Sequence, residues 1–149
     1  VLLVNKNSLI SFPNSDDIRH HVYSFSTAKT FQLKLYAGQP KNPILFEQPG
    51  IVVLGCNIHD SMIGYIYITE QHNAHKTDSD GLITFDLPIK SIKHLTLWHP
   101  NTSEGVDYRR TVQANELSIN NGLLTLKVNI NAPEPTGSFE DIFADAQSN

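Results

Sequence analysis

The sequence predicts an all-β protein built as a sandwich, and three observations predict it. Short apolar runs rich in β-branched and aromatic residues recur along most of the chain. Pro and Gly punctuate them where turns are needed, and no stretch carries a helical apolar period for more than a turn or two. Short strands at regular spacing with Pro/Gly turns are the pattern of a sandwich or barrel.

Taken in order, Val1–Val4 and Leu9–Phe12 are two apolar runs separated by the polar Asn5–Ser8. Val22 and Phe25 follow. Then Phe31, Leu33 and Leu35 alternate with Gln32 and Lys34, as a half-buried strand does. Turns are expected at Pro13, Gly38-Gln39-Pro40, Pro43 and Pro49-Gly50. Ile51–Leu54 is continuously apolar, the composition of a strand buried on both faces, and Ile63–Ile68 is a second run of that kind. Thr69–Asp80 is polar and closes at Gly81, which reads as a linker or long loop. Beyond it lie further strand candidates at Leu82–Leu87, His94–Trp98, Tyr108–Val112 and Leu123–Ile130, the last following an Asn-Asn-Gly turn at 120–122. Residues 1–69 are therefore expected to form one β domain and 70–131 a smaller β unit, too short to be secure alone. Residues 132–149, with Pro, Ser and acids and little to bury, are expected to be a mobile tail.

Composition narrows the function. The 149 residues suffice for a real core. A net charge of -4 leaves no excess of Lys and Arg to neutralise phosphates, so a nucleic-acid partner is not expected. No run approaches the roughly 20 apolar residues of a membrane-spanning helix, and no basic-then-apolar leader is present. With one Cys, the chain cannot make an internal disulfide, a multi-cysteine zinc or iron–sulfur site, or a two-thiolate binuclear copper centre. Gly-rich phosphate loops, nucleophile elbows, His-Glu-x-x-His and the His-x-His pairs of a multicopper oxidase are all missing.

The single Cys and the single Met fall six residues apart, in Gly55-Cys56-Asn57-Ile58-His59-Asp60-Ser61-Met62, between two strong strand candidates. A thiolate, an imidazole and a thioether spaced i, i+3, i+6 can converge on one ion if the loop wraps around it. Soft sulfur donors favour copper: two imidazoles and a thiolate in a plane, with a long axial thioether, make a blue-copper electron-transfer centre. Zinc fits less well, because Met is a poor zinc ligand. A second imidazole must come from elsewhere. His20 and His21 stand side by side before a strand, and alternation along an extended chain lets only one of them face the site. The spacing alone leaves both open.

The stretch from Phe12-Pro-Asn14 to His20-His21-Val22 resembles the segment of plastocyanins, pseudoazurins and amicyanins that ends in His-Asn-Val. The loop Cys56-x-x-His59-x-x-Met62 has the amicyanin ligand-loop length, and the two segments lie 36 residues apart, a separation of the kind these proteins show. Phe12–Ser26, Leu54–Met62 and Leu97-Trp-His-Pro100 are most similar to periplasmic cupredoxin-like proteins called methylamine utilisation proteins. This resemblance covers about residues 1–100. It implies a cupredoxin-like Greek-key sandwich followed by a smaller prealbumin- or Ig-like unit, one copper ion cycling between Cu(I) and Cu(II), and His20, Cys56, His59 and Met62 as its ligands, with His21 in the second-neighbour Asn position. It further implies an exported, periplasmic one-electron carrier serving unidentified protein redox partners. Those partners would dock on an apolar patch for which Pro13, Ile58 and Ile63 are candidates.

Plainer readings compete with each residue. A lone Cys is most often a buried inert thiol, and a lone Met is most often core filler; their shared motif argues against both. A Cys56–His59 nucleophile pair lacks an orienting third group, and four protein ligands leave little room for oxygen chemistry, so an enzyme is not expected. A module that stores, delivers or senses copper is the main alternative. His72 and His75 sit in the polar loop and are read as solvated, and His99 is read as structural at a strand end. Asn57, Asp60 and Arg19 are expected to hydrogen-bond near the ligands or to be solvated.

Overall fold

The computed structural model describes residues 1–15, 17–36, 42–57 and 62–132. The expected tail from 133 onward, the turn at 38–40, and Ile58, His59 and Asp60 lie outside the described residues. As expected, the chain is all-β, with the described helical residues confined to single 3-10 turns. Among the described residues, no helix is long and apolar enough to cross a membrane. It divides into two compact units, Val1–Lys93 and His94–Asn149, so the first unit runs past the Thr69 boundary suggested by composition.

The first unit contains β1 (Leu2–Asn5), β2 (Ser8–Ile10), β3 (His20–Ser26), β4 (Lys29–Tyr36), β5 (Ile44–Phe46), β6 (Gly50–Cys56) and β7 (Ile63–Thr69). Five of these form a sheet in the order β1-β7-β6-β3-β4, and β2 pairs with β5 in a separate ribbon. The chain thus alternates between layers. It leaves the sheet after β1, returns for the β3–β4 hairpin, leaves again for β5, and returns for the β6–β7 hairpin. This crossover sets β6 beside β3 rather than β4, as in Greek-key sandwiches. All sheet pairs are antiparallel except β1 with β7.

The core lies between the layers. Phe46 from the ribbon and Val52, Ile66 and Ile68 from the sheet are almost fully buried, with Val4, Ile10, Phe31, Ile44 and Leu54 packed on them. Phe12, Phe31 and Phe46 form a ring trio with centroids 5.3 to 6.4 Å apart, two pairs tilted and the Phe31–Phe46 pair edge-on, an arrangement that avoids the face-to-face sandwich. The corner between β1 and β2 is stitched to both layers: Lys6 N–H donates to Thr69 O and Asn7 N–H to Phe46 O. Asn7 takes the left-handed conformation (φ 68°) that this corner requires and that Asn tolerates. Ile51 and Val52, on opposite faces of β6, are both buried, in keeping with the unbroken apolar run.

Leu82–Leu87 is not a strand. Its Leu82, Ile83 and Leu87 remain exposed, because no neighbouring strand offers it a ladder. Asp78 instead folds the chain into a side-chain-capped turn, accepting the N–H groups of Asp80 and Leu82. In the second unit, β8 (His94–Leu97) pairs with β9 (Arg110–Gln113), and β10 (Ile119–Asn120) with β11 (Leu123–Leu124). Asn121 and Gly122 supply the two positive φ angles (53° and 78°) of the tight turn between the last pair. The expected strand over Leu123–Ile130 shortens to β11 and an isolated bridge from Thr102 to Ile130.

Candidate metal centre

The β3 and β6 strands run antiparallel as neighbours, with Val22 opposite Cys56 and Tyr23 opposite Gly55. Side chains at alternate positions share a face. His20, Val22 and Ser24 therefore lie on the same face as Cys56, Leu54 and the core residue Val52. Burial agrees: His20 is 6% exposed, Cys56 4%, Ser24 1% and Val52 0%. His20 opens β3 and Cys56 closes β6, so the two meet diagonally at one end of the core face. Cys56 Sγ lies 3.6 Å from His20 Nδ1.

His21 points the other way. Its ring stands edge-on to Tyr23, with centroids 6.2 Å apart, and its backbone carbonyl accepts the Asn57 N–H at 3.2 Å. Its Nε2 is buried with no hydrogen-bond partner. Of the adjacent pair, His20 is the residue brought to Cys56. The approach to His20 is held by Asn14, whose side-chain amide donates to Ile18 O at 2.8 Å.

Met62 immediately precedes β7 and is 46% exposed. The β6–β7 hairpin pairs Gly50 with Ile68 through to Gly55 with Ile63, so Met62 lies one residue beyond the end of the ladder. The connection from β6 to β7 spans residues 57–62 and carries His59. Its position lies outside the described residues. Among the described residues no three His, Cys, Asp or Glu side chains cluster as a metal site. What is described is the His20–Cys56 pair, at the end of the sheet from which the Met62 loop departs.

The pair fits two ligands of one ion. A sulfur and a nitrogen 3.6 Å apart lie within the span that two bonds of about 2.0–2.3 Å to a shared ion can bridge. A thiol donating to an imidazole would span a similar distance, so the metal-free pair is also a satisfied buried contact. The donors are a soft sulfur and a borderline nitrogen, both shielded from water.

Two nearby residues escaped the sequence reading. A Cβ added to Gly55 would stand 2.8 Å from Tyr23 Cζ and 2.9 Å from its hydroxyl oxygen, so the phenol ring lies directly over the backbone next to Cys56. A Gly interrupting a β-branched run is the available signal for such close approach. Elsewhere, His75 packs edge-on against Phe85. His99 Nδ1 accepts the Asn101 N–H, a structural role at the end of β8. Comparison with protein-family models and with curated proteins gives no match.

Proposed function

We propose that this chain is a mononuclear type 1 copper protein that carries single electrons between protein redox partners, with His20, Cys56, His59 and Met62 as ligands. The observation that carries this reading is the buried His20 Nδ1–Cys56 Sγ pair at 3.6 Å, set where the Cys-x-x-His-x-x-Met loop leaves the sheet. A bound copper ion would supply the one-electron Cu(I)/Cu(II) couple.

The chain's own residues do the rest. Cys56 provides the thiolate, whose softness suits Cu(I), while His20 and His59 supply the imidazoles that suit Cu(II). Fixing His20 and Cys56 on adjacent paired strands keeps the donors in place whichever oxidation state is present, which keeps the reorganisation on electron transfer small. Burial of both excludes water from that side, and a full set of four protein ligands would leave little room for oxygen chemistry. Asn57, tied to His21 O, anchors the first residue of the loop. Ile18, Met62 and Ile63, all exposed, give the rim an apolar character suited to transient docking. An exported, periplasmic location accords with this role. The exposure of Met62 also favours a second reading, a module that hands copper on rather than cycling it.

Copper reconstitution followed by visible and EPR spectroscopy separates the two. The carrier shows intense Cys-to-Cu(II) charge-transfer colour and a narrow copper hyperfine splitting, both lost in Cys56→Ala. A colourless Cu(II) form, or a protein that holds Cu(I) only, overturns the carrier reading.

A further inference from the structure

The second unit contains a groove of about 590 Å³ beside β9. β8 pairs with one edge of β9, and among the described residues no strand pairs with the other. Val112, 5% exposed, and the half-buried Leu126 give the groove apolar surface, and Arg110 and Lys127 give it charge. Arg110 Nη1 donates to Lys127 O, which holds the guanidinium at the groove. Neither cation forms an ion pair with a described residue. Glu116, the one acid in the lining, is engaged in accepting the Gln113 N–H at 3.1 Å. Two cations beside an apolar patch suit a segment that is both acidic and apolar.

The chain carries such a segment. Residues 133–149 hold four acids, Glu134, Glu140, Asp141 and Asp145, and no Lys or Arg. The other 132 residues hold 11 acids and 11 Lys and Arg, so the net charge of -4 resides entirely in this segment. Within it Phe139, Ile142 and Phe143 stand at i, i+3 and i+4, a spacing that brings three side chains to one side of a helical turn. Such a segment has little to bury by itself and orders against a surface that accepts its apolar side chains. The tether is long enough. Asn131 N–H donates to Asn101 O at 2.8 Å, so the chain is held there. From Lys127 to Ala132 it covers at most about 18 Å, and residues 133–138 can span up to about 20 Å.

We propose that residues 139–145 of this same chain occupy the groove. Phe139, Ile142 and Phe143 cover Val112 and Leu126, while Glu140 and Asp141 pair with Arg110 and Lys127. The C-terminal segment is then part of the second unit, which is otherwise small for the apolar surface it must bury, and it closes the groove to other ligands.

The test is NMR of the intact metal-free chain labelled with carbon-13 and nitrogen-15. NOEs from the rings of Phe139 and Phe143 to the methyl groups of Val112 and Leu126 are expected. The amides of 139–145 should show heteronuclear NOE values like those of β9. Glu140→Lys with Asp141→Lys should weaken the ring-to-methyl NOEs several-fold without touching the described fold. Lys127→Glu, at an exposed position, should do the same from the groove side, with the β8 and β9 spectra unchanged. Amides of 139–145 with the low values of free chain, or rings that contact a different surface, overturn the docking. So do ring contacts that survive both charge reversals. Contacts that isotope filtering in a mixture of labelled and unlabelled chains assigns to a second copy also overturn it.

Discussion

Placing a methyl group on Gly55 tests the local architecture directly, because the structure predicts both the size of the effect and the residue that causes it. In Gly55→Ala the new Cβ meets Tyr23 Cζ, Oη and Cε2 at 2.8, 2.9 and 3.0 Å. The ring must move, and overpacking of this kind costs about 1–3 kcal/mol. The ring is the far end of a half-buried side chain, which favours the lower half of that range. Against it stands a backbone gain: Ala in a strand is favoured over Gly by roughly 0.5–1 kcal/mol. The net expectation is destabilisation of about 0–1.5 kcal/mol. In a Tyr23→Ala background the clash is gone and only the gain remains, so the same substitution should become neutral or stabilising. The coupling energy from a double-mutant cycle is then about 1–2 kcal/mol. Urea unfolding of the four metal-free proteins by far-UV CD measures it. Trp98, the single Trp, lies in the second unit, so its fluorescence reports separately on that unit. If Gly55→Ala costs as much without the Tyr23 ring as with it, the contact over the Cys56 backbone is not what requires glycine.

Three further outcomes follow from the same geometry. Ser26 Oγ accepts the Val53 N–H at 2.9 Å, beyond the last paired residues of β3 and β6; Ser26→Ala should cost about 1–3 kcal/mol by leaving that amide without its partner, read as a urea midpoint shift. Phe46→Ala empties the centre of the ring trio, and a fully buried Phe should cost about 3–5 kcal/mol on removal, a large part of a typical domain's stability, in the same assay. On the copper reading, copper at 100 times its Kd should raise stability by about 2.7 kcal/mol, measurable as a thermal shift. Cys56→Ala and His20→Ala should abolish that shift while His21→Ala retains it, and the shift should shrink as pH falls because the ligands must lose protons to bind.

Local sequence determined much of this protein. The period-2 alternation of β4, the unbroken apolar runs of β6 and β7, and the Asn-Gly turn at 121–122 specify extended chain through sterics and burial that depend only on near neighbours. The loop from Cys56 to Met62 stands out locally as a candidate, because three soft or borderline donors at regular spacing are rare by chance. Tertiary structure decided what local pattern leaves open. Ile44–Phe46, between Pro43 and Pro49, carries no strand signal of its own, yet Phe46 centres the core because β5 pairs with β2, Phe46 opposite Ser8, 38 residues away. Leu82–Leu87 has a strand's composition and forms none, since a strand is stable only with a partner. The choice between His20 and His21 belongs to the same class. Alternation says that one of them faces inward; only the pairing of β3 with β6, through Val22 and Cys56, says which. Tyr23 over Gly55 is decided there too. Strand pairing joins residues distant in sequence, and the free energy that selects one pairing resides in the assembled core rather than in either segment.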